Sequence, residues 1–217
     1  MDAAEQLVVL VPDGAYPLVL SAFLDQRKAS LGLRRVAYKI VKDMFRDSSR
    51  EAVELLRPYQ RMCSHALIIR DLHGSGWEHR GAAALEEAIK QEMVVKGWDA
   101  GYCDTIVVEP EIEAWLRFDS THLHQLIRDR ARRKIEWEDL LLQPLIDDLI
   151  EKQGGKNSLG KPKHPKEAFE EILRAFGIQR SNALYGHLAS VESLKGCAVP
   201  SFKRLNQTLR LWFSEMH

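Results

Sequence analysis

The sequence predicts an α/β fold built on a mainly parallel sheet, and three observations lead there. Short apolar runs recur with turn residues at their ends, as in strands buried on both faces. Amphipathic helical spacing separates each run from the next, giving the order β-α-β-α-β-α-β-α that favours parallel pairing through helical crossovers. Strand signals then fade after about residue 120, and the rest of the 217-residue chain reads as helix.

Leu7 to Val11 is the first strand, closed by Pro12-Asp13-Gly14. Tyr16, Val19, Leu20, Phe23 and Leu24 follow at helical spacing. Arg35 to Val41 alternates through Val36, Tyr38 and Ile40 as a second strand, and Ala52, Leu55, Leu56 and Tyr59 mark a second helix. Ala66 to Ile69 is the third strand, running into Asp71-Leu72-His73-Gly74-Ser75-Gly76. Leu85, Ala88, Ile89 and Met93 define the next helix, and Thr105 to Val108 the fourth strand. Pro110 then stands where a helix would start, a position that tolerates its missing N–H.

The expected division is an α/β domain over residues 1–120 and a helical extension or subdomain over 121–217. In the second part Trp137, Leu140, Leu141, Leu145 and Leu149 suggest a helix bent near Pro144. Residues 152–166 (KQGGKNSLGKPKHPK) read as an exposed loop, followed by a helix through Ala168, Phe169, Ile172, Leu173 and Phe176. The last helix enters through Pro200 and carries Phe202, Leu205, Leu209, Trp212 and Phe213.

Composition bounds the function. With 31 basic and 31 acidic side chains, bulk charge does not hold the protein on nucleic acid, although a local patch can. No apolar run approaches the roughly 20 residues that span a bilayer. The acidic start leads straight into a strand and does not read as a signal peptide. Cys63, Cys103 and Cys197 are too far apart for a CxxC zinc pair or a disulfide framework. The expectation is a soluble, cytoplasmic protein with no membrane partner.

Ligands of open α/β sheets bind beyond the carboxyl ends of the parallel strands. There the sequence places Asp13 after the first strand, Asp71 and His73 after the third, and Glu109, Glu111 and Glu113 after the fourth. Carboxylates from several strand ends suit Mg²⁺ or Mn²⁺, and His73 would shift the preference toward Mn²⁺. Each residue also has a plain structural reading. Asp13 suits a Pro-Asp-Gly turn, Asp71 a loop cap or an ion pair, His73 a solvated loop, and Glu111 and Glu113 the dipole of a first helical turn. The loop lysines Lys156, Lys161, Lys163 and Lys166 are candidates for phosphate contacts with DNA or RNA, or else belong to a solvated connector. Arg128, Arg130, Arg132, Arg133 and Lys134 read as a solvated helix paired with its own acids. The tryptophans read as core or interface anchors, with Trp77 set apart by its place in the loop beside the proposed site. No Walker loop and no nucleophile elbow is present.

Pro110-Glu111-Ile112-Glu113-Ala114-Trp115-Leu116, directly after an apolar strand, resembles the P-E-x-E-x-W motif of a Toprim-like family encoded in bacterial genomes. That family carries an acidic residue and a glycine after strand one, a D-x-D-like motif after strand three, and a Pro-Lys element before a late helix. Asp13-Gly14, Asp71-Leu72-His73, and Pro162-Lys163 or Pro165-Lys166 are similar in order and placement across residues 7–176.

The resemblance implies Mg²⁺ or Mn²⁺ held by Asp13, Asp71 and Glu111, with Glu109 or Glu113 orienting water and His73 a ligand or general acid. Toprim domains act in topoisomerases, primases and overcoming-lysogenisation-defect nucleases. Relatives of this branch occur among phage-defence genes, including methylation-associated defence systems. The implied function is a metal-dependent nuclease or phosphotransferase of bacterial defence. The alternatives are a non-cutting scaffold or nucleic-acid-binding subunit bound to other defence proteins, and an α/β protein that holds a small phosphorylated ligand. Two departures leave these open: Asp13 replaces the usual glutamate, and His73 replaces the second aspartate of D-x-D.

Overall fold

The fold was analysed in a computed structural model that describes residues 6–12, 14–43, 49–131, 139–192 and 197–215. Four strands, β1 (Leu7–Val11), β2 (Tyr38–Lys42), β3 (His65–Asp71) and β4 (Cys103–Val108), form one all-parallel sheet in the order β2-β1-β3-β4. The α/β expectation holds. From β1 the chain crosses to β2 on one side, then returns past β1 to β3 on the other. The topological switch point therefore lies between β1 and β3, where doubly wound sheets open a crevice at their carboxyl ends.

Alternation along the strands supplies two apolar faces. Val8, Leu10, Ala66, Ile68, Cys103 and Val107 face one way, against α3 (Ser49–Leu56) and α4 (Ala82–Val95). Leu7, Val9, Val11, Leu67, Ile69, Ile106 and Val108 face the other. The second face is covered by α1 (Tyr16–Ser21) and by helices from the second half: α5 (Thr121–Arg130), α6 (Asp139–Lys152), α7 (Pro165–Ala175), α8 (Asn182–Val191) and α9 (Pro200–Phe213). Phe169, Leu184, Phe202 and Phe213 belong to the same buried cluster as Val9 and Ile69, so the helical region and the sheet share one core.

Local differences from the sequence reading concern how helices begin and end. The helix after β1 continues past Ser21 as a π-helical turn over Ala22–Gln26, then a short α2 (Lys28–Leu31) closes at Gly32 with φ +72°. Pro110 does not start a regular helix. The Glu109–Pro110 peptide is cis, and only a 3₁₀ turn follows at Ile112–Trp115 before Leu116 extends again. The next helix starts instead at Ser120, whose hydroxyl accepts from Leu123 N at 3.0 Å. Pro144 lies inside α6. Trp137 and the basic residues Arg132, Arg133 and Lys134 lie outside the described residues.

Within the expected loop, residues 153–164 form an ordered connection between α6 and α7, and Pro165 and Lys166 already belong to α7. Lys156 and Pro162 pair as an isolated bridge, and the Asn157 side chain accepts from Leu159 N at 2.9 Å and Lys161 N at 3.1 Å. An asparagine that bonds backbone two and four residues ahead folds its own turn. No described helix is long and apolar enough to cross a membrane.

Candidate active site

Asp71 is the last residue of β3 and sits level with Val108, the last of β4. The two loops that leave these strands are tied together, because Leu72 N bonds Val108 O at 2.8 Å and His73 N bonds Pro110 O at 3.1 Å. Within the β3 loop, Gly74 and Gly76 take φ of +77° and +74°, and Ser75 Oγ donates to Leu72 O at 2.6 Å. The loop thus turns sharply beside the β4 segment instead of running away from it.

The 3₁₀ turn explains the E-x-E-x-W spacing. Glu111 and Glu113 line the cleft, whereas Trp115 enters the core, 5% exposed. The indole donates to Ser201 Oγ at 3.0 Å and packs edge-on against Tyr16, with ring centroids 6.0 Å apart. Tyr16 in turn donates its hydroxyl to Asp71 Oδ1. Trp115 therefore anchors both the glutamate-bearing turn and the tyrosine that holds Asp71.

These elements surround a cleft of about 460 Å³ at the switch point. Pro12 and Gly14 line it from the β1 end; Asp13 lies outside the described residues. Asp71, His73 and Ser75 line it from the β3 end, Glu111 and Glu113 from the β4 end, and Lys166, Arg180, Asn182 and Tyr185 from the helical region. The Asp43–Arg70 ion pair closes another wall.

Each carboxylate has a distinct environment. Glu111, 14% exposed, is bonded by Lys166 Nζ at 2.8 Å and faces His73 Nδ1 at 3.6 Å. Glu113 is 1% exposed; its Oε1 accepts from Tyr185 at 2.7 Å and from Arg180 at 3.0 Å. Its Oε2 is buried with no hydrogen-bond partner. Burial pushes Asp71 up to about 7; the Tyr16 hydrogen bond opposes this, and the Glu111 and Glu113 charges reinforce it. Burial also raises Tyr16 and Tyr185 well above the usual phenol range, with Asp71 adding to the first and Glu113 to the second, so both remain donors.

The structure thus brings Asp71, His73, Glu111, Glu113 and Lys166 together. It separates the other candidates. Glu109 is exposed on the far side of Pro110 and lines a different cleft of about 880 Å³ with Arg80, Lys161, Lys163 and Arg204. Lys156 pairs with Asp147 at 2.8 Å, and Lys161 reaches inward to the Leu116 carbonyl, where burial lowers its pKa. The loop lysines consequently point to different places rather than along one track. Trp77 packs against the α3–α4 side of the sheet and carries the Arg80 guanidinium 4.3 Å above its ring.

Spacing did not expose Tyr16, Arg180, Asn182 or Tyr185. Tyr16 was legible only as one apolar position of a helix, and Tyr185 meets Glu113 across 72 residues of sequence. The chain matches no family model, no curated protein and no solved structure.

Among the described residues, no three His, Cys, Asp or Glu side chains are grouped so as to hold a metal ion by themselves. The donor set is of the kind a hard cation takes, because the buried Glu113 Oε2 lacks a partner and Asp71, Glu111 and Glu113 line one cleft. One or two carboxylates plus ligand phosphate is the usual way Mg²⁺ is held.

Proposed function

We propose that this cleft performs divalent-metal-dependent phosphodiester chemistry on nucleic acid, the nuclease function implied by the P-E-I-E-A-W resemblance and its association with bacterial defence. The observation that carries the reading is the buried, unpartnered Glu113 Oε2 beside Asp71 at the switch point. A saturated structural carboxylate has no such vacancy for a donor.

Asp71 and Glu111 would hold the cation, which when bound would neutralise a phosphate oxygen and acidify a water. Tyr16 fixes Asp71 through its hydroxyl, and Tyr185 with Arg180 fixes Glu113 through one oxygen; the other, buried without a partner, would have to turn toward the cleft to meet a water or a substrate hydroxyl. Lys166 and Arg180 supply positive charge for the phosphate. His73, 67% exposed and 3.6 Å from Glu111, is placed at the mouth to pass a proton to a leaving oxygen.

One observation favours the scaffold alternative: Lys166 on Glu111 and Arg180 on Glu113 already neutralise the site. Calorimetry with Mn²⁺ in the presence of dimethyl phosphate, together with hydrolysis of bis(p-nitrophenyl) phosphate, separates the two. The nuclease reading expects saturable binding and metal-dependent hydrolysis, both lost in Asp71→Ala. Folded wild-type protein that neither binds nor hydrolyses would overturn it in favour of the scaffold.

A further inference from the structure

The Lys166 ammonium is the cation paired with Glu111 in this structure. It bonds Glu111 Oε2 at 2.8 Å, and its field also acts on Glu113 and on Asp71. It arrives from Pro165-Lys166 at the first turn of α7, a helix seated in the shared core through Ala168, Phe169, Ile172 and Leu173. Only the flexible butyl stem can carry the charge away, and the side chain is partly exposed, so it can move without unpacking α7.

Arg180 differs, being held on several sides by Glu113, Glu170 and the Tyr185 hydroxyl. Of the two cations, Lys166 has the fewer ties: the bond to Glu111 is its contact in the cleft.

We infer that Lys166 is a built-in counter-cation of Glu111 that makes divalent-cation binding conditional on phosphate. An entering phosphate draws the ammonium off Glu111, freeing that carboxylate for the metal. The two ligands therefore bind with positive coupling, and neither occupies the site strongly alone. This deepens the proposed phosphodiester reading and rests on it, and it assigns Lys166 the role of a positioning residue that couples the two ligands.

The test is Mn²⁺ binding followed by the loss of the free-ion electron paramagnetic signal, with and without excess dimethyl phosphate. It uses wild type, Lys166→Met, which removes the charge while keeping the stem, and Lys166→Arg, which keeps the charge. For wild type, dimethyl phosphate should tighten Mn²⁺ binding about tenfold, within the usual range of coupling between two ligands. Lys166→Met should bind Mn²⁺ alone about tenfold more tightly than wild type and lose the coupling. Lys166→Arg should retain it.

Mn²⁺ binding that is unaffected by dimethyl phosphate in the wild type would overturn the inference while leaving the metal site standing. So would unchanged or weaker binding by Lys166→Met that circular dichroism shows to be folded. Should Lys166→Met not fold, the wild-type and Lys166→Arg titrations decide. Absence of Mn²⁺ binding from every protein under both conditions would overturn the metal reading itself, and this inference with it.

Discussion

Two clusters of buried carboxylates flank β4, one along its outer edge and one beyond its carboxyl end, and they are treated differently. At the edge of β4, Glu86 accepts from Val107 N at 2.9 Å through one oxygen and from Arg204 through the other. Asp104 is bonded by Arg204 at 3.1 Å and Lys90 at 3.4 Å on one oxygen and by Thr208 at 2.8 Å on the other. Every carboxylate oxygen of that cluster is occupied. Burial would raise Asp104, but Thr208, Thr105 N and the two cations bring it below its ordinary value. At the switch point, Glu113 keeps one buried oxygen without a partner, and burial leaves Asp71 near 7. The saturated cluster closes a sheet edge that would otherwise present open backbone groups. The unsaturated one carries a cost that a proton or a ligand relieves, as groups perturbed by burial and neighbouring charge do.

The widest gap between the clusters should appear as a pH dependence. Burial pushes Asp71 up to about 7 in the folded chain from an ordinary 3.8, so between those values the native chain holds a proton that the unfolded chain has released. Native stability therefore falls as pH rises from about 4 to about 7 and is then level, by a total on the order of 2–4 kcal/mol. Asp71→Asn mimics the protonated acid and still accepts from Tyr16. It should match wild type near pH 4 and exceed it by that amount at pH 8, measured by urea denaturation across the range. A stability difference independent of pH would remove the contrast. Next in size, Arg204→Ala strips Glu86 and Asp104 of their shared cation. The loss should be about 2–3 kcal/mol in the same assay, below the full value for a buried pair because Arg204 is half-exposed.

Much of the frame for this contrast was legible in the sequence. The β1 run ends where its apolar residues end, and β2, β3 and β4 differ from the expected spans by only a few residues, because buried parallel strands are written as continuous apolar runs. The gathering of Asp71, Glu111 and Glu113 followed from strand ends alone. Glu109 was misplaced because one residue decides on which side of Pro110 a side chain falls, and spacing does not give that sign. The loop lysines were read as phosphate contacts or as part of a solvated connector, yet Asn157 folds the loop, Lys156 ties it to α6, and Lys161 and Lys166 reach the two ends of the 3₁₀ turn. α8, with Tyr185, carried no signal that linked it to Glu113, since that contact depends on tertiary packing.

That packing can be tested at Gly186. A Cβ there would lie 2.8 Å from Leu18 Cβ, so α8 approaches α1 as closely as it does only because this residue is glycine. Gly186→Ala gains helix propensity of about 1 kcal/mol but forces the two helices apart, a repacking that costs about 1–3 kcal/mol. The net loss should be at most about 2 kcal/mol. It should also weaken Mn²⁺ binding, because Tyr16 and Tyr185 ride on the separated helices. The saturated β4-edge cluster predicts no such link between packing and ligand affinity.

The smallest effect on the site is expected at Ser201, which accepts the Trp115 indole N–H at 3.0 Å. Ser201→Ala leaves that buried donor without a partner and should cost about 1–2 kcal/mol in denaturant. Trp115 is also packed against Tyr16, Phe23 and Phe202, so its ring should stay in place and Glu111 and Glu113 with it. Mn²⁺ affinity in the presence of dimethyl phosphate should therefore be unchanged although stability falls. If affinity falls as well, the hydrogen bond rather than the aromatic packing sets the orientation of the 3₁₀ turn, and the site reaches as far as the first turn of α9.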